Sequence, residues 1–423
     1  LFINQAVFDD DNTTVCISMN SSDLTQTAPS SEVSTAKQRL LSLDAFRGLV
    51  MLMMASGGFG LAKIATAYPD SYWLQRLGTQ AEHAVWRGCT IWDLIQPAFM
   101  FMVGVSLPWS LLKRRASGDS FNKLLLHAVW RSVLLVALAI FLTSAWSKQT
   151  EWVFTNVLAQ IGLGYVFVFL MASATNRIVW LTTAAILLLY WLAFAMFPLP
   201  AADFDWGRVG VPSTWNWMTG FESHWEKNAN FAAWFDRWFL NLFPRESAFE
   251  FSGGGYQTLN FVPSIATMAF GLLAGRALLP PSNLSNAALT IAIFGVAGII
   301  FGLGLDWAGL CPIVKRIWTP SFALFSSGVV AIVLSAFVWV IDFANQKKWA
   351  FALIVAGMNP LALYCMWQLS SGFIRKQTEI HLGSGFFQLL GPDWRPAMER
   401  GWVLVILWGI MAWMYRRKIF LRL

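Results

Sequence analysis

In a chain with only four histidines, His83 opens the stretch "HAVWRGCTIWDLIQPAFMFMVGVS" (83–106), which runs into an apolar segment with Asp93 and Pro97 near its start. An imidazole takes a proton from a nucleophile near neutral pH, and a carboxylate bonded to its other ring nitrogen fixes the tautomer and raises the basicity. His83 and Asp93 can form such a pair if residues 83–92 fold back toward the apolar segment. An isolated histidine at such an edge is ordinarily structural, and Asp93 is what gives this one a chemical reading. A zinc site is not expected. His224 and His381 are distant in sequence, and Cys16, Cys89, Cys311 and Cys365 show no ligand spacing and read as small apolar residues.

Few other ionisable groups fall inside apolar segments, where charge is costly and marks function by default. They are Asp44, Arg47, His127 and Arg131. Asp44 and Arg47 are three apart on one helical face and read as a mutual salt bridge. Arg131 lies deeper, and its guanidinium needs either a carboxylate or an anionic ligand.

Those residues must be held by elements of a particular kind. With 57% hydrophobic and 13% charged residues and 24 tryptophans among 423, the chain is outside the range of soluble domains. Runs of about 20 apolar residues, enough to cross a bilayer, recur about ten times. They lie roughly at 41–62, 90–112, 124–146, 152–173, 177–198, 258–279, 286–307, 317–341, 349–373 and 401–416. Nothing resembles the shorter alternating segments of a barrel. The expected fold class is therefore all-α, a polytopic integral membrane helical bundle of about ten transmembrane helices.

The net charge of +7 sits in short loops between spans, which makes it a topology signal and argues against nucleic acid as a partner. With a cytoplasmic N-terminus, Lys113, Arg114, Arg115, Lys123, Arg177, Arg276, Lys347, Lys348, Arg416, Arg417 and Lys418 all face the cytoplasm, and so does the C-terminus. Lys315, Arg316, Arg375 and Lys376 fall on the other side. Residues 1–36 are polar, rich in Ser and Thr and without a signal-peptide core. They read as a disordered leader, or as translation upstream of a start at Met19, ahead of a membrane domain at 37–423.

Two connections are long, 63–89 and 199–257, and both fall outside by parity. The second carries Trp206, Trp215, Trp217, Trp225, Trp234 and Trp238 with Asp203, Asp205, Glu222 and Glu226, and a Gly253-Gly254-Gly255 turn. Such aromatic density argues against disorder. It suits interfacial residues anchoring a cap or, alternatively, a sugar-stacking surface.

The segments "RLLSLDAFRG" (39–48), "HAVWRGCTIWDLIQPAFMFMVGVS" (83–106), "AVWRS" (128–132), "FDR" (235–237), "LLAGR" (272–276), "GMNPLALY" (357–364) and "YRRKIF" (415–420) follow one another in a familiar order and spacing. They resemble the transmembrane acyltransferase family of heparan-alpha-glucosaminide N-acetyltransferase and its bacterial relatives of the DUF5009 and NagX type. The resemblance covers residues 37–423, and its most specific piece is the His-x-x-Trp-x-Gly-x-Thr-x-x-Asp-Leu run. It implies about ten core helices, acetyl-CoA entering from the cytoplasm, an amino sugar acetylated on the far side, and an active-site histidine at His83. It also implies acceptor-side residues among the matched segments, namely Trp86, Asp236, Arg237 and Asn359. The chain departs from the family at Trp367, at Ala159-Gln160 and at "GGGYQ" (253–257), where the lysosomal enzyme has a histidine, Gln-Arg and an acidic pair. Those departures bear on the identity of the acceptor.

Residues and resemblance meet in one task, moving an acyl group across a bilayer without moving the charged coenzyme. Arg131 with Arg114, Arg115 or Arg276 would hold the coenzyme phosphates, the pantetheine arm would thread the bundle, and His83, oriented by Asp93, would act as base. The expected setting is a bacterial inner (plasma) membrane, with a sugar or glycan acceptor and membrane lipid as partners, a homodimer as a possible assembly and no metal. The alternative is a transporter or flippase for a sugar or lipid-linked sugar, for which Pro263 and Pro360 are possible helix breaks. A non-catalytic scaffold would leave Asp93 and Arg131 as unexplained costs.

Overall fold

The computed structural model describes residues 40–421, so the leader, Cys16 and Met19 lie outside the described residues. Helices α1 (Leu41–Ser56), α2 (Leu61–Ala67), α3 (Tyr72–Gln80), α4 (Ile95–Ala116), α5 (Phe121–Ser144), α6 (Val157–Met171) and α7 (Asn176–Ala195) form the first part of the chain. They are followed by α8 (Phe231–Phe239), α9 (Phe261–Ala277), α10 (Leu284–Trp307), α11 (Pro320–Phe337), α12 (Phe351–Gly357), α13 (Pro360–Leu382) and α14 (Arg395–Arg416). Among the described residues the only β pairing is the isolated bridging of Arg87 and Gly88 with Val314.

Eight helical segments are long and apolar enough to cross a membrane, and α12 with α13 makes a ninth that is bent by 67°. The remaining expected span is α6, an apolar helix of 15 residues. At 1.5 Å per residue it is about 22 Å long, short of a hydrocarbon core of about 30 Å. It starts late because Asn156 caps it, accepting from Ala159 N, and the chain before it is not helical. Buried Gln160 serves that irregular lead-in by donating to the carbonyls of Phe154 (2.7 Å) and Thr258 (3.2 Å). Non-helical backbone is tolerated inside a bundle only when its polar groups are satisfied in this way.

The two marked prolines behave differently for a positional reason. Pro360 follows Asn359 and opens α13, so the span breaks there. Pro263 lies in the first turn of α9, where a missing N–H costs nothing, and that span is not among the bent ones.

Successive traverses put the Lys- and Arg-rich turns at one end of the bundle, here the basic end. His83, residues 199–257 and the 308–319 connection lie at the other, the histidine end. Glycines bring α4 and α9 into backbone contact: a Cβ on Gly104 would lie 1.9 Å from Met268 O, and one on Gly271 2.0 Å from Phe101 O. A second seam joins α1 to α12, where a Cβ on Gly48 would lie 1.7 Å from Leu353 O.

The tryptophan-rich connection folds into a cap. Trp225 is fully buried in a cluster with Trp86, Tyr190, Phe194, Cys311, Val314 and Ile317. Buried Glu226 pins the cap from within, accepting from Trp215 Nε1 (3.1 Å) and Met218 N (2.5 Å). Trp234 and Trp238 on α8 remain exposed, as interfacial anchors would.

Candidate functional site at the histidine end

The 81–91 loop does fold back. His83 Nδ1 lies 2.7 Å from Asp93 Oδ1. Asp93 is 1% exposed, and its Oδ2 accepts from Ala84 N and Thr90 N, both at 3.0 Å. The Thr90 hydroxyl donates to Glu82 O at 2.6 Å and closes the turn that carries His83 back onto the start of α4. The imidazole side chain itself is 36% exposed. A buried, fully engaged carboxylate thus faces Nδ1 while the ring keeps access to solvent. A carboxylate at Nδ1 calls for the ring proton there, whereas Lys315 Nζ, 2.9 Å from the same nitrogen, calls for a lone pair, so the two contacts compete for Nδ1.

The sequence reading assigned Lys315 to topology, yet the structure puts it in this site. Its Nζ lies 2.9 Å from His83 Nδ1 and 3.5 Å from Asp93 Oδ1. Lys315 is 4% exposed, and its burial pushes the ammonium down to about 8, against the opposing pull of Asp93. It arrives there because Gly88, with φ of 104°, lets its loop pair with the 311–318 loop, Gly88 N donating to Ile313 O at 2.8 Å. Arg316 clamps the same junction, donating to Ala84 O and Gly254 O. Tyr256 stands edge-on to His83 at 6.2 Å, so the "GGGYQ" segment forms a wall of the site. Burial raises the Tyr256 phenol to about 12 and the neighbouring Cys89 thiol to about 12, which removes both as nucleophiles near neutral pH. A signal for Lys315 existed in its residue type, a cation on a short connection at the histidine end, but nothing local linked it to a residue 232 positions away.

One recess adjoins this region, and a larger cavity opens toward the basic end. A recess of about 390 Å³ opens beside His83 and is lined by Glu82, Trp92, Lys63, Arg316 and Arg400 among others. A cavity of about 700 Å³ starts from Lys113, Ser117 and Asp119 at the basic end and reaches Phe99, Val157 and Leu158 deep in the bundle. Phe99 and Asp93 are six residues apart on one helical stretch, about 9 Å of rise. Arg47, Arg114, His127 and Arg131 line the large cavity. The expected Asp44–Arg47 salt bridge forms at 3.2 Å, and Arg47 also donates to Ser106 Oγ. Arg114 donates to His127 Nε2 at 2.7 Å, which makes that imidazole a neutral acceptor. Arg131 stacks on the Tyr165 ring at 4.8 Å and donates to its hydroxyl at 3.3 Å, while its buried Nε–H meets no acceptor. No carboxylate pairs with it among the described residues.

The other expected site residues are engaged elsewhere. Arg276 donates to Asn176 Oδ1 and to the carbonyls of Ala172 and Ala174, closing the end of α6. Arg115 reaches only Ser173 Oγ, at 3.4 Å, and does not line the cavity. Asn359 ties the 419–421 segment to the α12–α13 break, donating to Ile419 O and accepting from Leu421 N, which puts it at the basic end. Trp86 donates to Trp225 O inside the cap. Asp236 is fully buried and accepts from Thr258 N at 2.9 Å; burial raises its carboxyl to about 6. Burial likewise lowers the Arg237 guanidinium. None of the hydrogen bonds of these residues reaches the His83 cluster. No group of three or more potential metal-ligating side chains occurs among the described residues.

Fold and site together define a polytopic helical membrane protein with a His–Asp pair at one end of its bundle. Residues 39–207 match a family model described as a domain of unknown function, DUF5009. The chain is 23% identical over 440 residues to heparan-alpha-glucosaminide N-acetyltransferase of Mus musculus, covering 91% of this chain and 61% of that protein. It is also 23% identical over 436 residues to the Homo sapiens protein of the same name, covering 92% and 60%. The chain thus spans about three fifths of the length of the curated relatives it matches. These matches support assigning it to the family that its motifs resemble.

Proposed function

We propose that the chain is a transmembrane acyltransferase, moving an acetyl group from acetyl-CoA at the basic, cytoplasmic end to an amino sugar or glycan at the histidine end. What carries the reading is the His83–Asp93 pair at one end of the bundle together with a cavity that runs from cationic residues at the other end as far as Phe99. The N-acetyltransferase named among its relatives supports the same reaction class. Arg131 lacks a carboxylate and keeps a free buried N–H, which suits a coenzyme phosphate; Arg114 stands in the same wall. The pantetheine arm would lie along the cavity toward Phe99. In the transfer, His83 Nε2 takes a proton from the attacking amine or hydroxyl as its N or O bonds to the thioester carbonyl carbon. The C–S bond then breaks and the coenzyme leaves as thiolate, which takes the proton back from the imidazolium. The recess beside His83 would hold the acceptor. The setting proposed is a bacterial inner membrane, with both termini cytoplasmic.

One observation favours a sugar or lipid-linked sugar transporter instead, the bent span Lys348–Gly357 plus Pro360–Leu382. Transporters built from repeats break helices in paired positions, and a single bent pair occurs among the described residues. The deciding experiment is acetyl transfer from acetyl-CoA to glucosamine by detergent-purified protein, wild type against His83→Ala. The variant is expected to fold and to lose about 10²- to 10⁴-fold in rate. A rate within about tenfold of wild type would remove His83 as the base.

A further inference from the structure

We propose that Asn359 is a positioning residue for the coenzyme cavity: it seats residues 418–421 as a strap that completes the rim of that cavity at the basic end. The inference rests on the acyltransferase reading for what the cavity holds, while the strap itself does not. Asn359 is 1% exposed. Its carboxamide pairs with the main chain as another peptide group would, Nδ2 donating to Ile419 O at 2.8 Å and Oδ1 accepting from Leu421 N at 3.0 Å. Both ends of a buried amide are thus committed to one short segment, at the point where Pro360 breaks the span. Replacing that amide by an apolar side chain would strip the segment of both bonds at once.

The strap reaches this seat by a sharp turn. After α14, Lys418 adopts a φ of 56°, with Lys418 N donating to Tyr415 O at 3.1 Å and Ile419 N to Met414 O at 2.9 Å, and the chain folds back toward the α12–α13 break. Ile419 packs against the main apolar cluster of the bundle. Leu421 then lines the large cavity together with Gly357, Met358, Pro360 and Leu361, yet it is 38% exposed. A side chain that both lines a cavity and meets solvent stands at its rim. The same cavity is lined by Arg114 and Arg131, to which the coenzyme phosphates are assigned above. A short segment beyond a helix end opens locally unless it is tied down, and Asn359 supplies the tie. With the strap seated, the coenzyme meets a complete rim; with it released, the cavity gapes on the α12–α13 side.

The test uses full-length, detergent-purified protein and two probes. One is coenzyme A in a thermal-shift titration. The other is the rate at which a maleimide labels Leu135→Cys, a buried position on the cavity wall, corrected for the native cysteines. Asn359→Leu removes both bonds to the strap, whereas Leu421→Ala shortens the rim residue and leaves the seat intact. If release leaves the strap seated about a tenth of the time, Asn359→Leu raises the apparent Kd for coenzyme A about tenfold. It should also speed labelling of Leu135→Cys and leave the acceptor KM unmoved, and Leu421→Ala should shift both probes in the same direction. A purely structural Asn359 would lower the melting temperature alone. Unchanged labelling in a folded variant, or an unchanged coenzyme midpoint where coenzyme A stabilises the wild type, overturns the proposal. Should Asn359→Leu not fold, Leu421→Ala decides by the same two readings. Faster labelling in proteins that coenzyme A does not stabilise upholds the strap and counts against the acyltransferase reading alone.

Discussion

Arg131 and His83 stand at opposite ends of the proposed reaction and differ in how they can be tested. If Arg131 holds a coenzyme phosphate, Arg131→Gln should give a folded protein with weaker coenzyme A binding, and Arg131→Lys should recover only part of it, since a point charge does not reproduce a planar fork. A thermal-shift titration reads this directly, because stabilisation grows as RT ln(1 + [L]/Kd). Coincident curves for the three proteins would show that Arg131 is no coenzyme contact and would turn attention to Arg114, which shares the cavity wall. At this scale, legibility followed sequence distance. Asp93 is ten residues from His83, so their pairing needed only a local turn. Lys315 depends on two loops meeting across the whole bundle, and its charge read as topology. Asn359 and Trp86 were drawn into the site by the resemblance and Arg276 as an inner-side cation, while their side chains serve backbone carbonyls and chain ends.

The elements were legible because the bilayer demands long apolar helices, and composition alone exposes them. What hydropathy could not weigh was where a helix starts. Asn156 delays α6 and Pro360 splits a span, both through single-residue backbone effects inside apolar runs. The α4–α9 seam was equally hidden, since a glycine in a span reads the same whether it faces lipid or a neighbouring backbone. Its consequence is mechanical: α4 follows Asp93 and α9 follows Tyr256, so the closeness of these helices sets two walls of the histidine site. Gly271→Ala should force them apart, costing about 1–3 kcal/mol of stability and lowering acyl transfer with it. Gly409 on α14 is exposed with nothing within 4 Å of a Cβ, so Gly409→Ala should be neutral or slightly stabilising. Melting temperatures in detergent compare the two, and equal shifts would mean that the seam is not under compression.

At the scale of the whole molecule, the proposed reaction requires its two substrates never to share a compartment. On that proposal the coenzyme would enter among the clustered cations of the basic end and the acceptor under the cap, which packs over the 81–91 and 308–319 loops. Arg87 ties these parts together, pairing with Glu222 of the cap at 2.9 Å and with Asp306 at the end of α10 at 3.1 Å. A cap so fastened belongs wholly to one face of the membrane, and positive-inside bias predicts that this face is the exterior. Ser213 in the cap and Ala116 at the end of α4 are both exposed and sit at opposite ends of the bundle. In a Cys16→Ser background, Ser213→Cys should react with a membrane-impermeant maleimide in intact cells, whereas Ala116→Cys should react only after permeabilisation. The reverse pattern would put the cationic mouth outside, away from the cytoplasmic coenzyme pool, and the acyltransferase reading would lose its donor.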